Sequence, residues 1–310
     1  IADRFGRRLL LIPAVLLYAL AGMSGLVLNT LEGLLVGRVL LGLSVAGTMT
    51  VATALAGDYF AGPTRDRFMG YQSAAIGASG LLFLTGGGLL AELHWRAPFA
   101  LYGLALLLLP AVLILLPEPR RPTARRGIPG PADRLLPGAG LALVAILAAA
   151  FLNSAAFYLV PTQLPFRLQE LGATPSQAGI AVGIVPLAGA VTSLLYQRLR
   201  QRLSVPAVFA FAFAVMTLGF GLLGSADSYA AIVFGVAVMG GGMGFVMPNL
   251  SSGAMTIAPA RWRGRVAGGL TAAIFLGQFP SPFMSQPLIA AYGFAGAALA
   301  AGFLTGGLAL

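Results

Sequence analysis

Long apolar runs, most of them close to twenty residues, alternate along this chain with short breaks that carry arginine, proline or turn residues. A helix needs about 20 mostly apolar residues to cross roughly 30 Å of hydrocarbon at about 1.5 Å per residue. Cut at the breaks, the sequence predicts ten such helices, near 9–28, 33–57, 68–91, 97–116, 136–160, 176–196, 206–224, 229–257, 265–283 and 294–310. The longest break, Pro117 to Arg134, is rich in proline, arginine and glycine and divides the helices into four and six. The expected fold class is all-α: a polytopic membrane protein with a partial helical bundle over 1–116, a cytoplasmic linker over 117–134 and a six-helix bundle over 135–310.

Composition supports that class. Of 310 residues, 58% are hydrophobic and only 9% charged, and the mean hydropathy is +0.90. A soluble domain carries about 25% charged residues to face water on all sides. Cysteine is absent, which excludes disulfides, thiolate metal sites and cysteine nucleophiles. The net charge of +10 would suggest nucleic acid in a soluble domain, but its distribution points elsewhere.

All 19 basic residues are arginines, and they cluster in the breaks. Alternate breaks hold sixteen of them: Arg4, Arg7, Arg8; Arg65, Arg67; Arg120, Arg121, Arg125, Arg126, Arg134; Arg198, Arg200, Arg202; and Arg261, Arg263, Arg265. The opposite breaks hold only Arg96 and Arg167. An excess of arginine marks cytoplasmic loops, so both chain ends are expected on the cytoplasmic side. With cysteine introduced singly into this cysteine-free background, Arg125→Cys should label only from the cytoplasm and Thr174→Cys only from outside. Labelling of both from one side would overturn the topology.

Residues 1–8 read Ile-Ala-Asp-Arg-Phe-Gly-Arg-Arg, directly before the first run. Gly6 permits a tight turn, Asp3 suits a helix N-terminus, and the arginines suit the headgroups, so an anchor loop is one local reading. The octapeptide also resembles the loop between helices 2 and 3 of the major facilitator superfamily, patterned G-x-L-a-D-R-x-G-R-R. Asp3, Arg4, Gly6, Arg7 and Arg8 fill the family positions. That family has twelve helices in two bundles of six. The resemblance therefore implies a chain that starts at helix 3, lacks helices 1 and 2, and keeps four and six.

It further implies secondary active transport by alternating access around a midplane site. The expected branch is efflux of drugs or other small molecules from the cell (inner) membrane, with proton coupling. Partners are then a small-molecule substrate, protons and the lipid bilayer, with no nucleic acid, no cofactor and a monomeric state. The octapeptide is implied to latch the outward-facing state, with Asp58 and Arg67 as partners nearby. A faint internal repeat at an offset of 198 residues matches Arg67-Phe68-Met69-Gly70 to Arg265-Val266-Ala267-Gly268. In the second copy Gln201 replaces the acid and Ser204 the glycine.

Arg38 is the one arginine inside a run, and Arg38-Val39-Leu40-Leu41-Gly42 resembles the family's fourth-helix pattern R-x-x-q-G. Arginine at a helix centre costs about 2.5–3.5 kcal/mol on insertion scales, which makes Arg38 a candidate for the substrate or ion pathway. Snorkelling toward the outer interface, or pairing with Glu32, is the alternative. The family's antiporter pattern G-x-x-x-G-P-x-x-G-G is not kept: Phe83-Leu84 stand where Gly-Pro would. His94-Trp95-Arg96-Ala97-Pro98-Phe99 resembles the efflux branch. Asn153, Phe157, Tyr158, Met243, Asn249 and Gln278 are further pathway candidates, being polar or soft residues inside spans. The glycines at 179, 183, 240–242 and 244 read as close helix contacts. A membrane enzyme would need paired catalytic groups at depth, and the single His94 stands in a break. A sensor on a transporter frame is the other rival, separable only by a flux measurement.

Overall fold

The computed structural model describes residues 7–60, 62–116, 138–259 and 262–309. Asp3, Arg4 and Gly6, and the linker expected at 117–134, lie outside them, as do the side chains of Arg7, Arg8, Asp58 and Arg67. Among the described residues every regular element is a helix. In order these are α1 (Arg7–Met23), α2 (Leu31–Tyr59), α3 (Gly62–Leu93), a 3₁₀ segment (Ala97–Leu107) running into α4 (Leu108–Leu115), α5 (Ala139–Glu170) and α6 (Pro175–Ser193). The short α7 (Tyr196–Arg200) is followed by α8 (Val205–Gly224), α9 (Tyr229–Ile257), α10 (Arg263–Gln278) and α11 (Ser281–Ala309).

Nine stretches among the described residues are long and apolar enough to cross a membrane. The last, Arg263–Ala309, has 47 residues. At about 1.5 Å per residue that is about 70 Å, enough for two crossings of about 30 Å. The chain turns inside it at Gly293 (φ 69°, ψ 179°), where a Cβ would be strained, so the stretch holds two crossings. The total is then the ten that the hydrophobic pattern predicts.

Two run ends differ from expectation. The run expected to stop at 160 continues through Pro161 and Pro165 to Glu170. Each proline removes a helical N–H, and the Thr162 hydroxyl donates to the Tyr158 carbonyl (2.7 Å) in this stretch. The run expected at 265–283 extends to the Gly293 turn, with one break at Phe279-Pro280.

By its contacts the chain forms two units, 1–75 with 86–125, and 76–85 with 126–310. In the first, α1 packs on α2 and on the 3₁₀ segment. Its buried core is small, centred on Leu11, Val15, Val51 and Leu55. In the second, α9 lies between α6 and α8, α8 also packs on α11, and α5 packs on α10 and α11. Phe213, Met216, Phe220, Met239, Val246 and Leu250 are fully or almost fully buried in its core. Residues 76–85 of α3, assigned to the first bundle by sequence, group with this second unit. A Cβ at Gly183 would lie 2.9 Å from the Leu81 Cα, and one at Gly179 would overlap the Leu84 carbonyl. Small residues thus let α6 approach that segment to backbone contact.

Outward faces are apolar. Leu93, Ile114 and Phe303 are each about four-fifths exposed, and no residue of the 97–115 crossing is buried. Surfaces of this kind are stable against hydrocarbon and not against water. Span hydroxyls follow the same logic: Ser44, Thr48, Thr50, Thr192 and Thr217 each donate to a carbonyl three or four residues back. Where chain turns meet water, Thr174, Ser204 and Ser228 cap α6, α8 and α9. Thr174 and Gln177 form a reciprocal capping box.

Candidate functional site

Arg38 is held in the first unit by an aromatic bed. Its guanidinium carbon lies 4.8 Å from the Phe99 ring centroid and 5.8 Å from that of Tyr102. An Arg38 N–H reaches the Tyr102 hydroxyl at 3.5 Å, a weak bond. Among the described residues no carboxylate pairs with it.

The bed is built by local geometry. Phe99 and Tyr102 stand three apart on the 3₁₀ segment, and a helix of about 3.0 residues per turn places such positions directly above one another. Both rings lie on glycines: a Cβ at Gly25 would overlap the Phe99 ring, and one at Gly22 the Tyr102 ring. Tyr18 packs against Tyr102 with centroids 5.4 Å apart. Cation–π contacts contribute about 0.5–1 kcal/mol each when exposed and about 2 when desolvated. Two of them offset much of the insertion cost while leaving most of the five N–H donors of Arg38 unused. The arrangement can hold a fixed positive charge and present it to an anionic group.

The turn after α3 in the same unit carries Arg96, stacked 4.7 Å over Trp95 and bonded to the Asn29 side chain and the Leu26 carbonyl. That is a clamp between two turns.

In the second unit, α5 carries a line of buried polar groups. Asn153 is fully buried, and neither atom of its amide has a hydrogen-bond partner; the Ser154 hydroxyl is equally unpaired. Two residues after Asn153, the Ala155 carbonyl accepts from the Ser281 hydroxyl at 2.7 Å, and about two turns beyond it Gln163 Nε2 donates to Ser285 Oγ at 3.2 Å. Phe157 and Tyr158 are half-buried beside Asn153.

The remaining candidates have different surroundings. Asn249 is fully buried and satisfied: Tyr196 donates to its Oδ1 at 3.2 Å, and its Nδ2 donates to the Val205 carbonyl at 2.9 Å. It ties α9 to the α7–α8 hairpin. Met243 is half-buried against the hydrophobic core, on the same stripe as the wholly buried Met239. Gln278 is half-buried at the end of α10. The structure therefore groups Asn153, Phe157 and Tyr158 on one helix and leaves Arg38 in the other unit with its own aromatic partners. Sequence reasoning missed Phe99 and Tyr102. Their spacing of three was visible, but it carries meaning only once the segment is 3₁₀.

Comparison with known proteins adds an independent line. The family model described as Major Facilitator Superfamily matches residues 1–282. Multidrug resistance protein 1 of Bacillus subtilis is 35% identical over 130 residues, 41% of this chain and 33% of that protein. The 3-(3-hydroxy-phenyl)propionate transporter of Escherichia coli is 26% identical over 303 residues, 94% of this chain and 71% of that protein. Among solved structures, a D-xylose-proton symporter superposes with a TM-score of 0.78 over 98% of this chain and 81% of its own, at 19% identity. At that identity the likeness speaks to the fold. The chain thus spans a third of the length of the Bacillus protein and under three-quarters of the Escherichia one.

Proposed function

The chain belongs to the Major Facilitator Superfamily, and on that premise we propose that it exports a small amphipathic molecule by alternating access, in exchange for protons. The observation that carries this reading is Arg38. A charged side chain at membrane depth is costly, and here it has two rings, one weak hydroxyl contact and free donors. The free donors suit an anionic group of the substrate or of a proton-carrying carboxylate. An aromatic carboxylate is the favoured cargo. The Escherichia relative covering 94% of the chain is named for such a compound, whereas the Bacillus relative supports export but matches 41%.

Asn153, Phe157, Tyr158 and Gln278 supply the second unit's share of the pathway in this reading. The unpaired amide of Asn153 supports it, because a buried donor and acceptor without partners are stabilised in a state that admits water or substrate. The protein acts as a monomer in the bacterial inner membrane, with both ends of this chain on the cytoplasmic side.

Inside-out vesicles with an acidified interior test the proposal. They should accumulate 3-phenylpropionate, or ethidium if the cargo is cationic, and lose the accumulation when the pH gradient is dissipated. Accumulation of neither would end the export reading, and accumulation indifferent to the gradient would end the coupling. In the same assay Asp3→Asn should lower the initial rate at least tenfold at near-normal membrane levels if the octapeptide is a latch. An unchanged rate would make it an anchor loop.

A further inference from the structure

One cavity of the second unit lies apart from all of these residues. It opens where the end of α5, the α8–α9 turn and the Gly293 turn of α11 come together, with a volume of about 330 Å³. Its lining mixes apolar Leu223, Ile289 and Phe294 with the charged side chains of Arg167, Glu170 and Asp227. Gln163, buried and bonded to Ser285, is among its lining residues. The volume is that of a small-molecule pocket, and the lining is polar and apolar in about equal parts.

Its charge is not balanced. Arg167 and Glu170 line it as a closed pair, with N···O 3.1 Å. Asp227, also in the lining, makes no hydrogen bond or ion pair among the described residues. It precedes Ser228, the cap of α9, and an acid beside a helix N-terminus is favourable there. That accounts for an acid on the turn; Asp227 is exposed, and the cavity with its buried amide lies beside it. Nothing fills the space at Gly293, where an added Cβ would meet no atom within 4 Å.

We infer that this cavity is a binding site for a monovalent organic ammonium group, with Asp227 as its charge partner and the Leu223–Ile289–Phe294 wall taking the apolar portion. The net charge of the lining is negative, so an anion of the same shape is repelled. A soluble amine and the ethanolamine headgroup of a lipid share this chemistry. The site belongs to one unit alone and does not depend on the transport reading.

Calorimetric titration of the protein in phosphatidylglycerol nanodiscs with 2-phenylethylammonium tests it. Saturable binding is expected, with 3-phenylpropionate, its anionic counterpart, failing to displace the amine. Asp227→Asn should weaken amine binding at least tenfold, and Asp227→Glu should restore most of it, which separates lost charge from lost folding. Repeating the titration in phosphatidylethanolamine assigns the source. Several-fold weaker binding there identifies the headgroup as occupant, unchanged affinity identifies a soluble amine, and both support the ammonium site. Wild-type affinity in Asp227→Asn, or equal affinity for the anion, overturns it.

Discussion

Arg38→Ala is expected to abolish transport, at least a hundredfold in initial rate, while the protein still inserts and folds. The second half follows from the balance of terms at this position. Arginine within a span costs about 2.5–3.5 kcal/mol on insertion scales, and two cation–π contacts return about 1–4 kcal/mol. Removing both sides of that balance leaves folding nearly unchanged, so lost transport would report on the charge itself. Arg38→Lys keeps the charge but loses the planar group that stacks on Phe99 and Tyr102 and pairs bidentately. Partial activity in lysine means that charge suffices, and none means that geometry matters. Tyr102→Phe keeps the ring and removes only a 3.5 Å hydroxyl contact, so a change under twofold is expected. Wild-type transport by the alanine variant would make Arg38 a snorkelling topology residue.

Two buried asparagines should respond to leucine with opposite signs. Asn249→Leu strands the Tyr196 hydroxyl and the Val205 carbonyl, both now bonded to its amide. Leaving buried polar groups unpaired costs about 1–3 kcal/mol. Asn153→Leu strands nothing, because neither amide atom has a partner, and it removes a desolvation penalty of similar size. At about 2–4 °C per kcal/mol for a large domain, thermal midpoints should fall by a few degrees in the first and rise by a few in the second. Transport should nevertheless drop at least tenfold in Asn153→Leu if the amide serves the pathway. A midpoint that falls as far in Asn153→Leu as in Asn249→Leu would mean that Asn153 is a bonded core residue, and the pathway assignment would fail.

The contrast also marks what a sequence can tell. Ten crossings are legible because hydrocarbon thickness and helical rise fix their length, and arginine breaks punctuate them. The family is legible because the octapeptide at residues 1–8 stands directly before that pattern. Asn153 and Asn249 look alike in sequence, and what separates them is Val205 and Tyr196, 44 and 53 residues away from the second. The surroundings of Met243 are illegible for the same reason: Met239, about one turn before it, is wholly buried, and only neighbours in space decide that. Pro161 and Pro165 read locally as a helix end, yet α5 passes through both. The aromatic bed of Arg38 was out of reach because two registers, 3.6 and 3.0 residues per turn, are equally compatible with residues 97–107.

That 3₁₀ segment ties the crossing's reach to the bilayer. Eleven 3₁₀ residues rise about 22 Å where an α-helix would rise about 16 Å, so its 19-residue crossing extends to about 34 Å instead of about 28 Å. The hydrocarbon core is about 30 Å, between the two. Rewinding to α would shorten the crossing by about one turn and swing Tyr102 some 60° away from Phe99, withdrawing a ring from Arg38. Hydrophobic mismatch would act on that difference: a thicker membrane should hold the extended winding and the paired rings, and a thinner one should favour their separation. Acyl-chain length in the surrounding lipid is therefore expected to bias how the arginine is held, and transport in short-chain against long-chain bilayers would read that bias.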